Sequence, residues 1–160
     1  MEHKNIHEAI LGVMGEVGYV QKQTKGTLGY SYAGEAALIR ALRPAMIKHG
    51  IYANVKSVTP HREQYTTKKY EDGKGGTPMN TTFIQGIVRF THAPTDTHID
   101  VAAMGEGADP GDKSANKAAT GLLKYALRPT FLIETGDDPD EHDSKDMERN
   151  GTKEIQVEDI

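Results

Sequence analysis

The chain has 160 residues, of which 36% are hydrophobic, so it fits one domain with a modest aliphatic core and a tail. It contains no cysteine, which excludes disulfides, thiol catalysis and cysteine-based zinc sites. The net charge of −4 is unevenly distributed along the chain. Residues 134–160 hold eleven acidic and three basic residues, which gives a net charge of −8. Residues 1–133 hold sixteen basic and twelve acidic residues, which gives a net charge of +4. A basic body with an acidic tail indicates nucleic-acid contact by the body.

The N-terminal half predicts two helices. Apolar residues recur at helical spacing over residues 5–22, which predicts an amphipathic helix. The glycine-rich stretch 22–34 predicts a turn with a short extended piece. A second helix is predicted over residues 36–48, where Pro44 indicates a kink or a break and Gly50 suits the position just after the helix end.

The middle of the chain predicts strands. Residues 50–58 alternate and are β-branched, residues 62–90 predict two strands around a glycine-rich loop at 73–76, and residues 97–107 predict a further strand. Residues 130–136 predict one more short strand. The layout is α+β, with a small curved antiparallel β-sheet and helices packed on one face. We predict that residues 1–135 form one domain and that residues 136–160 are an acidic flexible tail.

A third helix is predicted within "DKSANKAATGLLKYALRP", residues 112–129. Its apolar stripe comprises Ala115, Ala118, Ala119, Leu122, Leu123 and Ala126. Its opposite face is cationic and comprises Lys113, Lys117, Lys124 and Arg128. Asp112 is predicted to cap the N-terminus, and no acidic residue follows it in the helix, so the cations lack i,i+4 partners. Such a row indicates an anion outside the protein, for example a line of phosphates, although a solvated face is the alternative.

The preceding loop, "GEGADPGDKS" (residues 105–114), is similar to a phosphate-binding loop but departs from it. Asp112 separates Gly111 from Lys113, and a carboxylate is unfavourable where phosphate oxygens would sit. We therefore expect the glycines to shape the strand-to-helix turn, and we expect no cofactor.

Other polar residues give weaker signals. In "QYTTKKY", Tyr65 and Tyr70 alternate with Lys68 and Lys69, which suits base stacking with phosphate contact as well as an exposed hairpin tip. Tyr30 and Tyr32 are as consistent with core positions as with base stacking. The seven histidines lack metal-site spacing and are predicted to be surface residues, and the acidic stretch after residue 136 lacks the pattern of a calcium loop. We predict no catalytic site, and hence no enzyme.

Three stretches carry a family resemblance. "GEGADPGDKSANKAATGLLKYAL" (residues 105–127), "ETGDDPD" (134–140) and "GYSYAGEAALIRALRPAMIKHGI" (29–51) resemble the essential recombination function (ERF) family of phage single-strand annealing proteins. The resemblance covers about residues 5–140. "TGLLKYALR" is also similar to the eukaryotic strand-annealing recombination protein, where the relationship implies a basic pair at the positions of Lys124 and Tyr125.

The resemblance implies a protomer similar to the core of that eukaryotic protein, assembled into rings or helical filaments. Single-stranded DNA would lie in a basic groove and be annealed to a complementary strand without ATP. The predicted DNA-binding residues are Lys113, Lys117, Lys124, Tyr125, Arg128, Lys68, Lys69, Tyr65 and Arg43.

We expect a cytoplasmic protein of the bacterial host cell, because the N-terminus lacks the features of a signal peptide and no window spans a bilayer. The host single-strand-binding protein is a candidate partner of the tail. Two alternatives remain: a small nucleotide-binding protein that uses residues 105–114, and a phage assembly protein whose basic helix is an oligomer contact.

Overall fold

A computed structural model describes residues 2–20, 23–24, 31–32, 34–69, 73 and 75–134. The helices and strands, in chain order, are α1 (Ile6–Glu16), β1 (Gln23–Thr24), β2 (Ser31–Tyr32), α2 (Glu35–Lys48), β3 (Ile51–Thr66), β4 (Pro78–His92), β5 (Thr97–Asp109) and α3 (Ser114–Thr130). This arrangement confirms the predicted α+β class. The predicted acidic tail, Tyr30 and Tyr70 lie outside the described residues, as does the side chain of Tyr32.

The main sheet has three antiparallel strands in the order β3-β4-β5. The β3–β4 pairing runs from Ile51 opposite His92 to Thr66 opposite Pro78, with a bulge between Val55 and Ser57. The β4–β5 pairing ends earlier, where Asn80 faces Asp109. Because β4 is central, the described part of the chain leaves β3 and β5 with one unpaired edge each. β1 and β2 form a separate two-stranded sheet.

β3 is longer than predicted. Residues 50–58 and the start of 62–90 form a single strand, in which Pro60 faces Ile84 of β4. Proline removes a backbone donor, and an edge strand tolerates that loss because only one of its sides is paired. The short strand predicted over residues 130–136 does not form in its described part, 130–134: residues 131–133 are not extended into a strand, and Glu134 forms a single bridge with Tyr19.

The first two helices follow the prediction with two differences. α1 ends at Glu16 instead of residue 22, and it begins after Asn5, whose side-chain oxygen accepts the backbone N–H groups of His7 and Glu8, at 3.0 Å each. α2 continues through Pro44, so of the predicted kink or break the break is wrong. Gly50 follows the end of α2 with φ +68°, as predicted for a helix terminus.

α3 closes the core over the sheet. Ala118, Leu122 and Ala126 are buried in one apolar cluster with Val88 and Phe90 of β4. The ring of Phe90 meets Phe131 edge to face, with 5.5 Å between centroids. The predicted apolar stripe is thus largely confirmed, since Ala115 and Leu123 are half-buried, but Ala119 is exposed and does not belong to it.

Two glycines allow α3 to approach β5 closely. A Cβ on Gly105 would lie 2.0 Å from the carbonyl oxygen of Ala118 and 2.4 Å from the nitrogen of Leu122. A Cβ on Gly107 would lie 2.4 Å from the carbonyl oxygen of Ser114. Both glycines lie inside β5, so the expectation that the glycines of residues 105–114 shape the strand-to-helix turn is wrong for these two, whereas Gly111 does lie in that turn. Gly105 and Gly107 give the backbone of α3 direct contact with the backbone of the strand.

Candidate nucleic-acid interface

The start of α3 differs from the prediction. The helix begins at Ser114, and the residue before it is Lys113, which makes no capping hydrogen bond through its side chain. Asp112, predicted as the cap, is exposed. Asp109 at the end of β5 organises the turn instead, because its Oδ1 accepts the backbone N–H of Gly111 at 2.9 Å.

Lys117 is paired, contrary to the argument from helix spacing. Its Nζ lies 2.7 Å from Oδ2 of Asp109 and donates to the carbonyl oxygen of Ala108 at 2.8 Å. The hydrogen bond from Lys117 and the N–H of Gly111 hold the pKa of Asp109 below its usual value. A cation bound to a carboxylate has less charge to offer a phosphate, so Lys117 joins α3 to β5 and is the weakest phosphate ligand of the predicted row.

The other three cations of the predicted row, Lys113 just before α3 and Lys124 and Arg128 within it, keep their charge available. Within the described ranges, Lys113, Lys124 and Arg128 form no ion pair with an acidic side chain. Lys113 is exposed, whereas Lys124 and Arg128 are half-buried along the helix surface. The ammonium group of Lys124 lies 4.7 Å from the ring centroid of Tyr125, which is 51% exposed. This helix surface therefore offers cations next to an exposed aromatic ring.

The end of the β3–β4 hairpin carries the second predicted group. Tyr65, Lys68 and Lys69 are exposed there, beyond the last residue pair of β5. Gly75 has φ +83°, and a Cβ on it would lie 1.9 Å from the carbonyl oxygen of Lys68, so this turn requires glycine.

The structure brings the hairpin stem next to the first turn of α3. The side-chain amide of Asn80 in β4 donates to the carbonyl oxygen of Gly111 at 2.9 Å, two residues before Lys113. Lys124 and Arg128 are about two and about three helical turns further along α3 than Lys117. Arg43 is exposed on α2, which packs against α3. The predicted residues thus form a hairpin group and an α3 group, with Arg43 on α2 in neither, rather than one compact cluster.

A groove that the sequence did not reveal is formed by residues of β3, β4 and β5 together with Tyr125 of α3. Its volume is about 1000 Å³, and it is lined mainly by apolar atoms of β3, β4 and β5 and by Tyr125. Side chains at its wall include Phe83, Ile87, Met104 and Tyr125. Met104 is 67% exposed. The alternation of exposed Phe83 and Gln85 with buried Thr82 and Ile84 was the signal for an open sheet face, but it does not show that a helix residue completes the groove.

Two further cations are already neutralised across the sheet. Arg89 donates to both carboxylate oxygens of Asp100, at 2.7 and 2.8 Å, and Lys56 donates to the same carboxylate at 3.0 Å. The hydrogen bonds from Arg89 and then Lys56 hold the pKa of Asp100 well below its usual range. Lys56 and Arg89 are therefore poorer phosphate ligands than the cations of α3.

The histidines do not all lie at the surface. His49 and His92 are each 2% exposed, which corrects the expectation for those two residues. Over the described part of the chain, no group of three His, Cys, Asp or Glu side chains is arranged to hold a metal ion. In the same ranges, no helix combines the length and the apolar character needed to cross a membrane.

The comparisons with known proteins give one family. No curated protein matches the chain. The family model described as the ERF superfamily matches residues 6–159, which include all eight helices and strands. This match agrees with the resemblance carried by residues 29–51 and 105–140. The chain belongs to the ERF superfamily.

Proposed function

We propose that this protein binds single-stranded DNA and anneals complementary strands without ATP, as a phage recombination protein rather than an enzyme. The family match over residues 6–159 carries this proposal. The cationic surface of α3, next to an apolar groove, supports it independently.

Phosphates of the strand would contact the cations of α3. Lys113, Lys124 and Arg128 have no acidic partner among the described residues, and the 17-residue helix is ~25 Å long, enough for a few successive phosphates. Lys68 and Lys69 of the hairpin would extend this track beyond the first turn of α3. Contacts to phosphates carry no sequence information, which suits a protein that must act on any strand.

Bases would contact the groove. The ring of Tyr125 lies at its border, and the exposed side chains of Phe83 and Met104 offer apolar surface on the sheet side. Stacking on aromatic rings tolerates every base, because each base has a π-face. The ammonium group of Lys124 over Tyr125 then places a cation beside the stacked base.

A ring or filament of protomers is part of the proposal. The edge strand β3 exposes about half of each of the side chains of Tyr52, Val55 and Val58. A long strand with one unpaired edge and exposed apolar side chains favours pairing with a neighbouring copy. Protomers placed side by side would join their short α3 surfaces into one continuous track.

The nucleotide-binding alternative is disfavoured by the packing of its loop. Gly105 and Gly107, which would have to present backbone N–H groups to phosphates, are in contact with the backbone of α3. The assembly-protein alternative does not require the protein to bind DNA.

We expect a fluorescent single-stranded oligonucleotide to bind the protein equally well with and without ATP, with an affinity that falls as the salt concentration rises. Absence of DNA binding at low salt would favour the assembly role, and binding that requires ATP would favour the nucleotide role.

The acidic tail is predicted to compete with DNA. The core ends beside α3: the N–H of Ile133 donates to the carbonyl oxygen of Arg128 at 3.0 Å, and Glu134 pairs with the backbone at Gly18 and Val20. Residues 134–160, with their net charge of −8, therefore start next to the cationic surface and have a high effective concentration there. Truncation after Thr135 should tighten DNA binding at low salt, and the gain should shrink as salt rises.

A binding titration of the full-length and truncated proteins at two salt concentrations checks this prediction. Equal affinities at low salt would leave the tail with a solubilising role or with docking to a partner such as the host single-strand-binding protein. A pull-down with that protein then separates these two roles.

A further inference from the structure

Three histidines from distant parts of the chain lie close together beside the N-terminal segment. His49 follows α2, His92 ends β4, and His3 precedes α1. The ring of His3 lies 4.9 Å from the ring of His49 and 6.0 Å from the ring of His92, measured between centroids. His3 is half-buried, and the other two are almost inaccessible.

The hydrogen bonds of this cluster suit one arrangement of donors and acceptors. Lys48 and then His49 hold the pKa of Glu16 below its usual value, so its carboxylate only accepts hydrogen bonds. Nε2–H of His49 therefore donates to Oε1 of Glu16 at 3.0 Å. With one proton on the His49 ring, Nδ1 is then an acceptor, and Nε2–H of His3 donates to it across 2.6 Å.

The hydrogen bonds from His3 through His49 to Glu16 are disrupted when the two histidine rings gain protons. One extra proton on His49 makes Nδ1 a donor, and the contact survives only if Nε2 of His3 becomes the acceptor. With both rings protonated, two N–H groups face each other across 2.6 Å and two like charges lie side by side. His49 has little room to turn away, because it is 2% exposed and its ring packs so closely on Gly12 that an added Cβ there would lie 2.5 Å from it. The half-buried ring of His3 is the one that can move away from this contact.

The segment that would leave with His3 has few other attachments. The backbone N–H of Lys4 donates to the carboxylate of Glu8 at 2.9 Å, and the N–H of Ile6 donates to the hydroxyl of Thr97 at 2.7 Å. Thr97 is in turn linked through the hydroxyl of Thr95 to Nδ1 of His92.

We propose that His3, His49 and Glu16 form a proton-operated latch, which holds residues 2–5 on the core near neutral pH and releases them when the histidines are protonated. The charged groups around His3 favour this direction. Burial, then His49, His92 and the N-terminal amine, lower the pKa of His3, and only Glu8 opposes them. Lys48 adds a positive charge beside Glu16.

The sign of the pH dependence follows from the lowered pKa of His3. The folded state binds a proton on His3 less readily than the unfolded chain, in which the pKa is near 6.5. The latch is therefore fully stable above that pH, and its stability is lost as the pH falls through 6.5 and below.

Hydrogen–deuterium exchange of the full-length protein tests the latch, with rates corrected for the intrinsic effect of pH. In the wild type, the protection of the amides of Lys4 and Ile6 should fall by about tenfold or more between about pH 7.5 and pH 5. His3→Gln should show low protection of these amides at both pH values. His7→Gln, which alters an exposed histidine outside the cluster, should behave as the wild type.

Glu16→Gln provides a second variant that keeps all histidines. Without the carboxylate, the imidazolium of His49 loses its counter-charge, so release should shift to lower pH. Protection that does not change with pH in the wild type would overturn the proposal. So would a His3→Gln variant with wild-type protection, or a Glu16→Gln variant that releases at higher pH.

Discussion

Gly105→Ala should unfold the protein or destabilise it by ~3 kcal/mol or more, a large share of the stability of a domain of this size. The added Cβ would lie 2.0 Å from the carbonyl oxygen of Ala118 and 2.4 Å from the nitrogen of Leu122. Both neighbours are backbone atoms of a helix, which cannot move aside as a side-chain tip can. Relief requires α3 to shift away from β5, which opens the buried contacts of Ala118 and Leu122.

Two glycine variants serve as controls for this prediction. Gly15→Ala places a Cβ where nothing lies within 4 Å, on the exposed side of α1, and should leave stability unchanged or raise it by up to ~1 kcal/mol. Gly111→Ala meets only the side chain of Asp109, at 3.3 Å. Urea unfolding followed by circular dichroism compares the three variants. A Gly105→Ala protein as stable as Gly15→Ala would show that α3 does not pack on β5 as described.

Replacing Lys113, Lys124 and Arg128 together with Ala should weaken single-stranded DNA binding by about a hundredfold at low salt. The three cations have no acidic partner among the described residues and account for most of the charge that α3 offers to phosphates. Each phosphate contact on a single strand contributes ~0.7 to the slope of log K against log salt, so the slope should fall by ~2. Fluorescence anisotropy across a salt series measures both quantities.

A second triple variant removes the same charge elsewhere. Lys4, Lys48 and Lys56 are exposed and lie outside α3 and the hairpin end, so their replacement by Ala should change affinity and slope little. Lys117→Ala should cost stability more than affinity, because Lys117 holds Asp109. Equal losses of affinity in the two triple variants would mean that binding depends on net charge alone and would contradict an interface on α3.

The helices with strong periodicity were predictable, and α3 shows why. The spacing of Ala118, Leu122 and Ala126 identifies the buried face from local geometry alone, because residues three and four apart share one side of a helix. The assignment of Ala119 to the buried stripe was wrong, because an alanine at the margin of a stripe fits either face of the helix. The continuous β3 was missed because Pro60 interrupts a strand pattern, and only the sheet order shows that the strand lies at an edge.

The polar contacts of the site were less predictable, because they join distant segments. Lys117 has no acidic partner within its helix, yet it pairs with Asp109, which arrives from β5. His3, His49 and His92 show no common spacing in the sequence, and only the fold brings them together. The groove beside Tyr125 likewise needs three strands and a helix to form.

Annealing of two complementary oligonucleotides tests the central claim most directly. The strands carry a fluorescence donor and acceptor, and duplex formation is followed by energy transfer with the full-length protein and no nucleotide. Strand pairing is downhill once complementary bases meet, so the protein need only neutralise phosphates and hold the bases accessible. We predict that the protein accelerates pairing without ATP, that added ATP leaves the rate unchanged, and that the α3 triple variant loses the acceleration. A protein that binds single strands but leaves the pairing rate at the protein-free value, or accelerates it only with ATP, would contradict this account.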